Sequence, residues 1–138
     1  MTKLTDEYYL VFIQGDHWVS RWLKKDCSHV LVYAKDKYNW IKLDPSTSKL
    51  MWEICPYSVS DHRVPYYLHP RARIIKIRTS RNAKWFAKWR FSHCVNFVSY
   101  SIGIKIKALT PWRFYKKLIK LANKPYPAKH ICYLQVLK

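Results

Sequence analysis

At 138 residues, with 49% hydrophobic and 17% aromatic residues, the chain suits one domain with a real core and is too apolar for a disordered tail. A formal charge of +18 draws its surface to polyanions, whether nucleic acid, anionic lipid or an acidic cell-wall polymer, without choosing among them. Four widely spaced cysteines (Cys27, Cys55, Cys94, Cys132) argue against a disulfide framework, and neither a secretory signal nor a membrane-length apolar run is visible, so a soluble cytoplasmic protein is expected.

Glu7 to Ile13 reads as a strand, rich in aromatic and branched residues and closed by Gln14-Gly15. Asp16 is placed to cap a short helix through Trp18, Val19, Trp22 and Leu23 that ends on Lys24 and Lys25. Two strands follow, His29 to Ala34 and Asn39 to Asp44, the second ended by Pro45-Ser46. Val30, Val32, Ile41 and Leu43 form one apolar set, with His29, Leu31, Tyr33, Trp40, Lys42 and Asp44 on the opposite face. Leu50 to Ile54 is a further strand. Cys55 to Pro70 shows no period and reads as a loop over the surface.

Ala72 to Arg78 is again a strand, and Asn82 to Arg90 fits either a short helix or an extended connection. Ser92 then opens a helix as its N-cap, Val95, Val98, Ser99 and Ile102 recur at helical spacing, and Gly103 supplies the C-terminal stop. Ile104 to Lys107 is a short strand or loop. Thr110-Pro111 starts a second helix running to about Leu121, with Trp112, Tyr115, Leu118 and Ile119 inward and Arg113, Lys116, Lys117 and Lys120 outward. Pro125 and Pro127 mark a linker before a last strand, His130 to Leu137. Residues 1–138 are expected to form one α+β domain without repeats.

Two stretches carry chemistry. Capping at Ser92 puts Cys94 in the first helical turn, where unpaired N–H groups and the positive end of the helix stabilise a thiolate. In the hairpin, a two-residue turn at Asp36-Lys37 places His29 opposite Asp44, Val30 opposite Leu43 and Val32 opposite Ile41. A carboxylate so placed fixes the imidazole tautomer and stabilises its protonated form. Together with Cys94 this is the nucleophile, base and orienter of a thiol hydrolase. Taken alone, the hairpin favours the plainer reading, a histidine at a strand end and an Asp-Pro turn.

The order of Ser28-His29-Val30-Leu31-Val32, Trp40-Ile41-Lys42-Leu43-Asp44-Pro45 and Ser92-His93-Cys94-Val95-Asn96-Phe97-Val98 resembles the circularly permuted NlpC-like papain-fold cysteine hydrolases. That group includes the lecithin:retinol acyltransferase-like enzymes and small phage and bacterial members. The stretch from Leu109 to Leu118 is similar to phage members in which a Thr-Pro-initiated helix follows the cysteine helix. The resemblance spans roughly residues 5 to 121. It implies an antiparallel sheet packed against the cysteine helix and a second helix, with Cys94 as nucleophile, His29 as base and Asp44 as third member. It further implies a peptide, cell-wall or acyl substrate, no cofactor, and host cytoplasm or virion as setting. Asp44 departs from the histidine frequent at the third position, His93 is unusual before the cysteine, and the family includes members that have lost activity.

Two rival assignments compete. Cys27, His29, His93 and Cys94 offer thiolate and imidazole donors to zinc, at unusual spacing. A non-catalytic basic protein would bind nucleic acid through Arg71, Arg73, Lys76 and Arg78 on one strand face and through Lys84, Trp85, Lys88, Trp89 and Arg90, where cations alternate with rings able to stack on bases. His17, His62, His69, His130 and Cys55 carry no assignment, and Cys132 reads as core.

Overall fold

The computed structural model describes residues 7–14, 27–35, 38–45, 50–79, 94–102, 106, 108, 110–123 and 131–137, with backbone alone for 50, 79, 96, 97, 100, 101 and 131–137. It is a mixed α+β structure built on one antiparallel sheet. The strands are β1 (Glu7–Ile13), β2 (His29–Lys35), β3 (Trp40–Pro45), β4 (Leu50–Cys55), β5 (Arg73–Thr79) and β6 (Ile131–Leu137). Their spatial order is β4-β3-β2-β1-β5-β6. Among the described residues three helices accompany them: α1 (Val64–Leu68), α2 (Cys94–Ile102) and α3 (Pro111–Ala122). The expected helix at Asp16 to Leu23, the segment Asn82 to Arg90, the Ser92 cap, the Gly103 stop and the Pro125 to Pro127 linker lie outside the described residues.

Both faces of the sheet are covered, which explains why β1 and β2 read as near-continuous apolar runs instead of alternating ones. On one face Leu10, Phe12, Val30, Val32, Ile75 and Ile77 meet Val95, Val98 and Ile102 of α2 and Phe114, Tyr115 and Leu118 of α3. On the other, Tyr9, Val11, Leu31, Tyr33, Trp40 and Ile74 pack with Cys55 and Val64. The segment expected to be a surface loop, Cys55 to Pro70, therefore contains α1 and helps cover this second face. Polar contacts join it to β2 and β3: Trp40 Nε1–H donates to the Ser58 carbonyl at 3.1 Å, Lys35 Nζ to His62 Nδ1 at 2.6 Å, and Tyr33 pairs with His69 at 2.8 Å. Aperiodicity concealed this role, because the burial comes from scattered side chains and not from a regular stripe.

α3 begins as expected, with Thr110 Oγ1 accepting from the Arg113 backbone N–H at 3.2 Å and Pro111 at the first helical position. Phe114 is its most buried aromatic, and Trp112 and Ile119 are only partly covered. Tyr115 and Leu118 are buried as expected and Trp112 and Ile119 pack at the edge of the core, while Phe114 joins the inward face, which the sequence pattern does not assign it.

The hairpin register also differs from the expected one. β2 and β3 pair Val32 with Leu43, Tyr33 with Lys42, Ala34 with Ile41 and Lys35 with Trp40. β2 runs one residue further, to Lys35, while β3 starts one residue later, at Trp40, so residues 36–39 make a four-residue connection in place of a two-residue turn. A two-residue type I′ turn needs positive φ at both central positions, which Asp36-Lys37, lacking glycine, serves poorly. The slip is by two residues, so every side chain keeps its face.

Candidate active site

Three elements bring their ends to one rim of the sheet. His29 is the first residue of β2, Asp44 lies near the end of antiparallel β3, and Cys94 is the first residue of α2, which packs against β2 and β3. With the slipped register Asp44 is no longer directly across from His29 but diagonal to it on the same pleat. Diagonal neighbours remain within reach of long side chains. His29 Nε2 lies 2.6 Å from Asp44 Oδ1.

The His29 side chain is 20% exposed and that of Asp44 29%. Burial alone would make the imidazole harder to protonate. The hydrogen bond to Asp44, the hydrogen bond to Cys94 and the negative charges of both groups outweigh it, and the His29 pKa rises to about 9. The Asp44 carboxyl is held below its ordinary value, first by the hydrogen bond from His29, against the effect of burial, and then by the positive charges of His29 and Lys42. His29 is thus an imidazolium at neutral pH. Nε2–H donates to the carboxylate, which leaves Nδ1–H as the donor toward the Cys94 sulfur.

Cys94 is partly exposed, whereas Cys27 and Cys55 are buried; all three are free thiols. The chosen nucleophile is therefore the accessible one among the described cysteines. Cys27 belongs to the apolar core under α2. His93 lies outside the described residues, and among those described no group of three or more His, Cys, Asp or Glu side chains has the geometry to hold a metal ion.

A second pair beside the site was missed from the sequence. Tyr33 Oη and His69 Nε2 are 2.8 Å apart. Burial, and then the acidic groups of Cys55, Glu53 and Asp44 nearby, raise the phenol's pKa, so Tyr33 keeps its proton and donates it. Burial, and then the Lys42 charge, lower the His69 pKa and leave that imidazole neutral, with Nε2 accepting. Tyr33 shares a pleat with His29, a signal visible in the strand pattern; nothing local to His69 marks it.

The expected cationic face of β5 is divided. Lys76 and Arg78 share the pleat of Ile74 and pair with Glu7 at 3.3 and 3.0 Å. Arg73 lies on the opposite pleat, beneath α3, its guanidinium 5.0 Å from the Trp112 ring and 5.6 Å from that of Tyr115. An odd spacing from 73 to 76 in a strand of period two necessarily separates the two sets. Arg71 is exposed just before β5, while Lys84, Trp85, Lys88, Trp89 and Arg90 lie outside the described residues.

Compared with known proteins, the chain matches no family model, no curated protein and no solved structure. The constellation at the rim of the sheet therefore has to be interpreted through its own chemistry.

Proposed function

We propose that this chain is a papain-like thiol hydrolase or acyltransferase, acting on an amide, isopeptide or ester bond through Cys94, His29 and Asp44. The observation that carries this is a single imidazolium held between a carboxylate at 2.6 Å and the only partly exposed thiol among the described cysteines. The order of strand histidine, acidic partner on the next strand and helix-initiating cysteine agrees with the resemblance to permuted NlpC-like enzymes. The sheet with α2 and α3 on one face is compatible with that fold.

The reaction follows from the groups. The Cys94 thiolate attacks the carbonyl carbon while the new oxyanion accepts hydrogen bonds from backbone N–H groups at the start of α2, which have no partner within the helix. Collapse of the tetrahedral species breaks the bond to the leaving nitrogen or oxygen, which takes the proton from His29 Nδ1. The product is a thioester on Cys94 and a neutral imidazole. That imidazole then removes a proton from water or another acceptor as it attacks the thioester, and the thiolate leaves. Asp44 orients the ring throughout and stabilises its charged form.

The test is alkylation by iodoacetamide as a function of pH, with the modified cysteine identified by peptide mapping. Cys94 should react fastest below neutral pH, and His29→Ala should abolish that preference over Cys27, Cys55 and Cys132. Equal labelling of several cysteines in the native chain would remove the basis for catalysis.

A further inference from the structure

The charge of this protein is not evenly spread. All eight acidic residues lie at or before Asp61, where eight Lys and Arg balance them, so the whole +18 belongs to residues 62–138, which contain no acid. The sheet order converts this into a spatial division. β4, β3, β2 and β1 come from the balanced part, while β5 and β6 form the far edge and α3 packs against β6. At the balanced edge, β4 exposes Met51, Trp52 and Ile54.

On the basic side, Glu7 is matched with Lys76 and Arg78. The exposed cations of α3 are Arg113, Lys116, Lys117 and Lys120, spaced so that they share one face of the helix. That face is about 10 Å long at 1.5 Å per residue, a length over which duplex DNA presents about six phosphate charges. We propose that it docks the phosphate backbone of a nucleic acid.

Charge complementarity alone would also admit an anionic membrane, but the rest of the helix argues against one. A helix that lies on a membrane inserts an apolar face among acyl chains. In α3 that face is already committed to the protein core through Phe114, Tyr115 and Leu118. At its N-terminal end, half-buried Trp112 stacks on Tyr115 with ring centroids 5.6 Å apart, and Arg73 and Lys116 lie 5.0 and 5.7 Å from the Trp112 ring. A planar surface edged by cations suits a sugar-phosphate strand better than lipid. None of these cations belongs to the Cys94, His29 and Asp44 site, so this surface does not depend on the hydrolase assignment.

The experiment is fluorescence anisotropy of the full chain with a labelled DNA duplex of about 20 base pairs across a salt series. Lys116→Gln/Lys120→Gln should weaken binding at least about tenfold and flatten the log-log salt slope by about 2, near 0.9 per lost phosphate contact. The Arg63→Gln variant, at the start of α1 on the other face of the sheet, removes one exposed cation and should change the slope by less than a quarter as much. Cys94→Ala should bind as the native chain does, with far-UV circular dichroism confirming that all variants fold. A slope change in Arg63→Gln of half that in the α3 double variant, one charge against two, would mean that binding follows net charge and not this face, and would overturn the proposal. Binding to phosphatidylserine vesicles without binding to DNA, or no DNA binding at all, would equally overturn the proposal.

Discussion

Replacing Asp44 by Asn tests the electrostatics of the site directly, because the amide oxygen still accepts a hydrogen bond while the charge is gone. In the native chain His29 moves from an ordinary value of 6.5 to about 9 on folding. The folded chain therefore binds this proton more tightly than the unfolded one. The resulting stabilisation is complete below about pH 6.5 and is lost as the pH rises through about 9. At about 1.4 kcal/mol per pKa unit, it is worth about 3 kcal/mol near pH 6 and almost nothing near pH 10. Asp44→Asn should lower the His29 pKa by at least about one unit, the usual effect of removing a paired opposite charge. The stability gained between pH 10 and pH 6 should shrink by about 1.4 kcal/mol or more. Cys94→Ala should also lower the value, by removing the other group that raises it. In the double variant burial dominates and His29 should titrate below 6.5. NMR titration of the imidazole Cε1–H signals, with urea unfolding at the two pH extremes, measures both quantities. If His29 in Asp44→Asn still titrates near 9, the carboxylate is not what holds the proton and the orienter role fails.

Two further outcomes test the surroundings. Thr110→Ala should remove the side-chain cap of α3 and cost about 1 kcal/mol, lowering the thermal midpoint by about 2–4 °C, while Thr110→Ser should restore most of it. Tyr33→Phe should cost about 1 kcal/mol by deleting the hydrogen bond to His69. It should also raise the His69 pKa, since the lost O–H stabilised the neutral ring, and NMR would show that rise.

The strands were legible because their signal is local. Glu7 to Ile13 was bounded as observed, and the other strands were displaced by at most one residue at an end. Thr110-Pro111 marked α3 for the same reason, since a cap and a proline act on the adjacent turn. The partnership of His29 with Asp44 was anticipated through a register two residues away from the real one. It survived because an even slip preserves the face and leaves the two side chains on a diagonal. Long-range facts were not legible. No local pattern says that the stretch from Cys55 to Pro70 folds back over Tyr33 and Trp40, or that His69 reaches the Tyr33 hydroxyl. Nor did the alternation in Arg73 to Arg78 disclose that Glu7, far away in the chain, would pair with two of its cations.

The two imidazoles near Asp44 take opposite protonation states, and the reason lies in β3. His69 and His29 both feel the carboxylate, which favours protonation of either. Only His29 makes the direct 2.6 Å contact and has a second hydrogen-bond partner in Cys94 that favours its protonated form. His69 is half-buried instead, and the Lys42 ammonium further disfavours its charge. Lys42 lies on the same pleat as Asp44, two residues away, and is paired across the ladder with Tyr33, whose hydroxyl takes up the neutral His69 ring. The alternation of β3 thus places a cation where it keeps one histidine neutral and a carboxylate where it charges the other. Because both side chains are set by the same strand, a one-residue slip of β3 would send both to the opposite face together. The protonation pattern at the rim and the pairing of the hairpin are therefore one structural commitment.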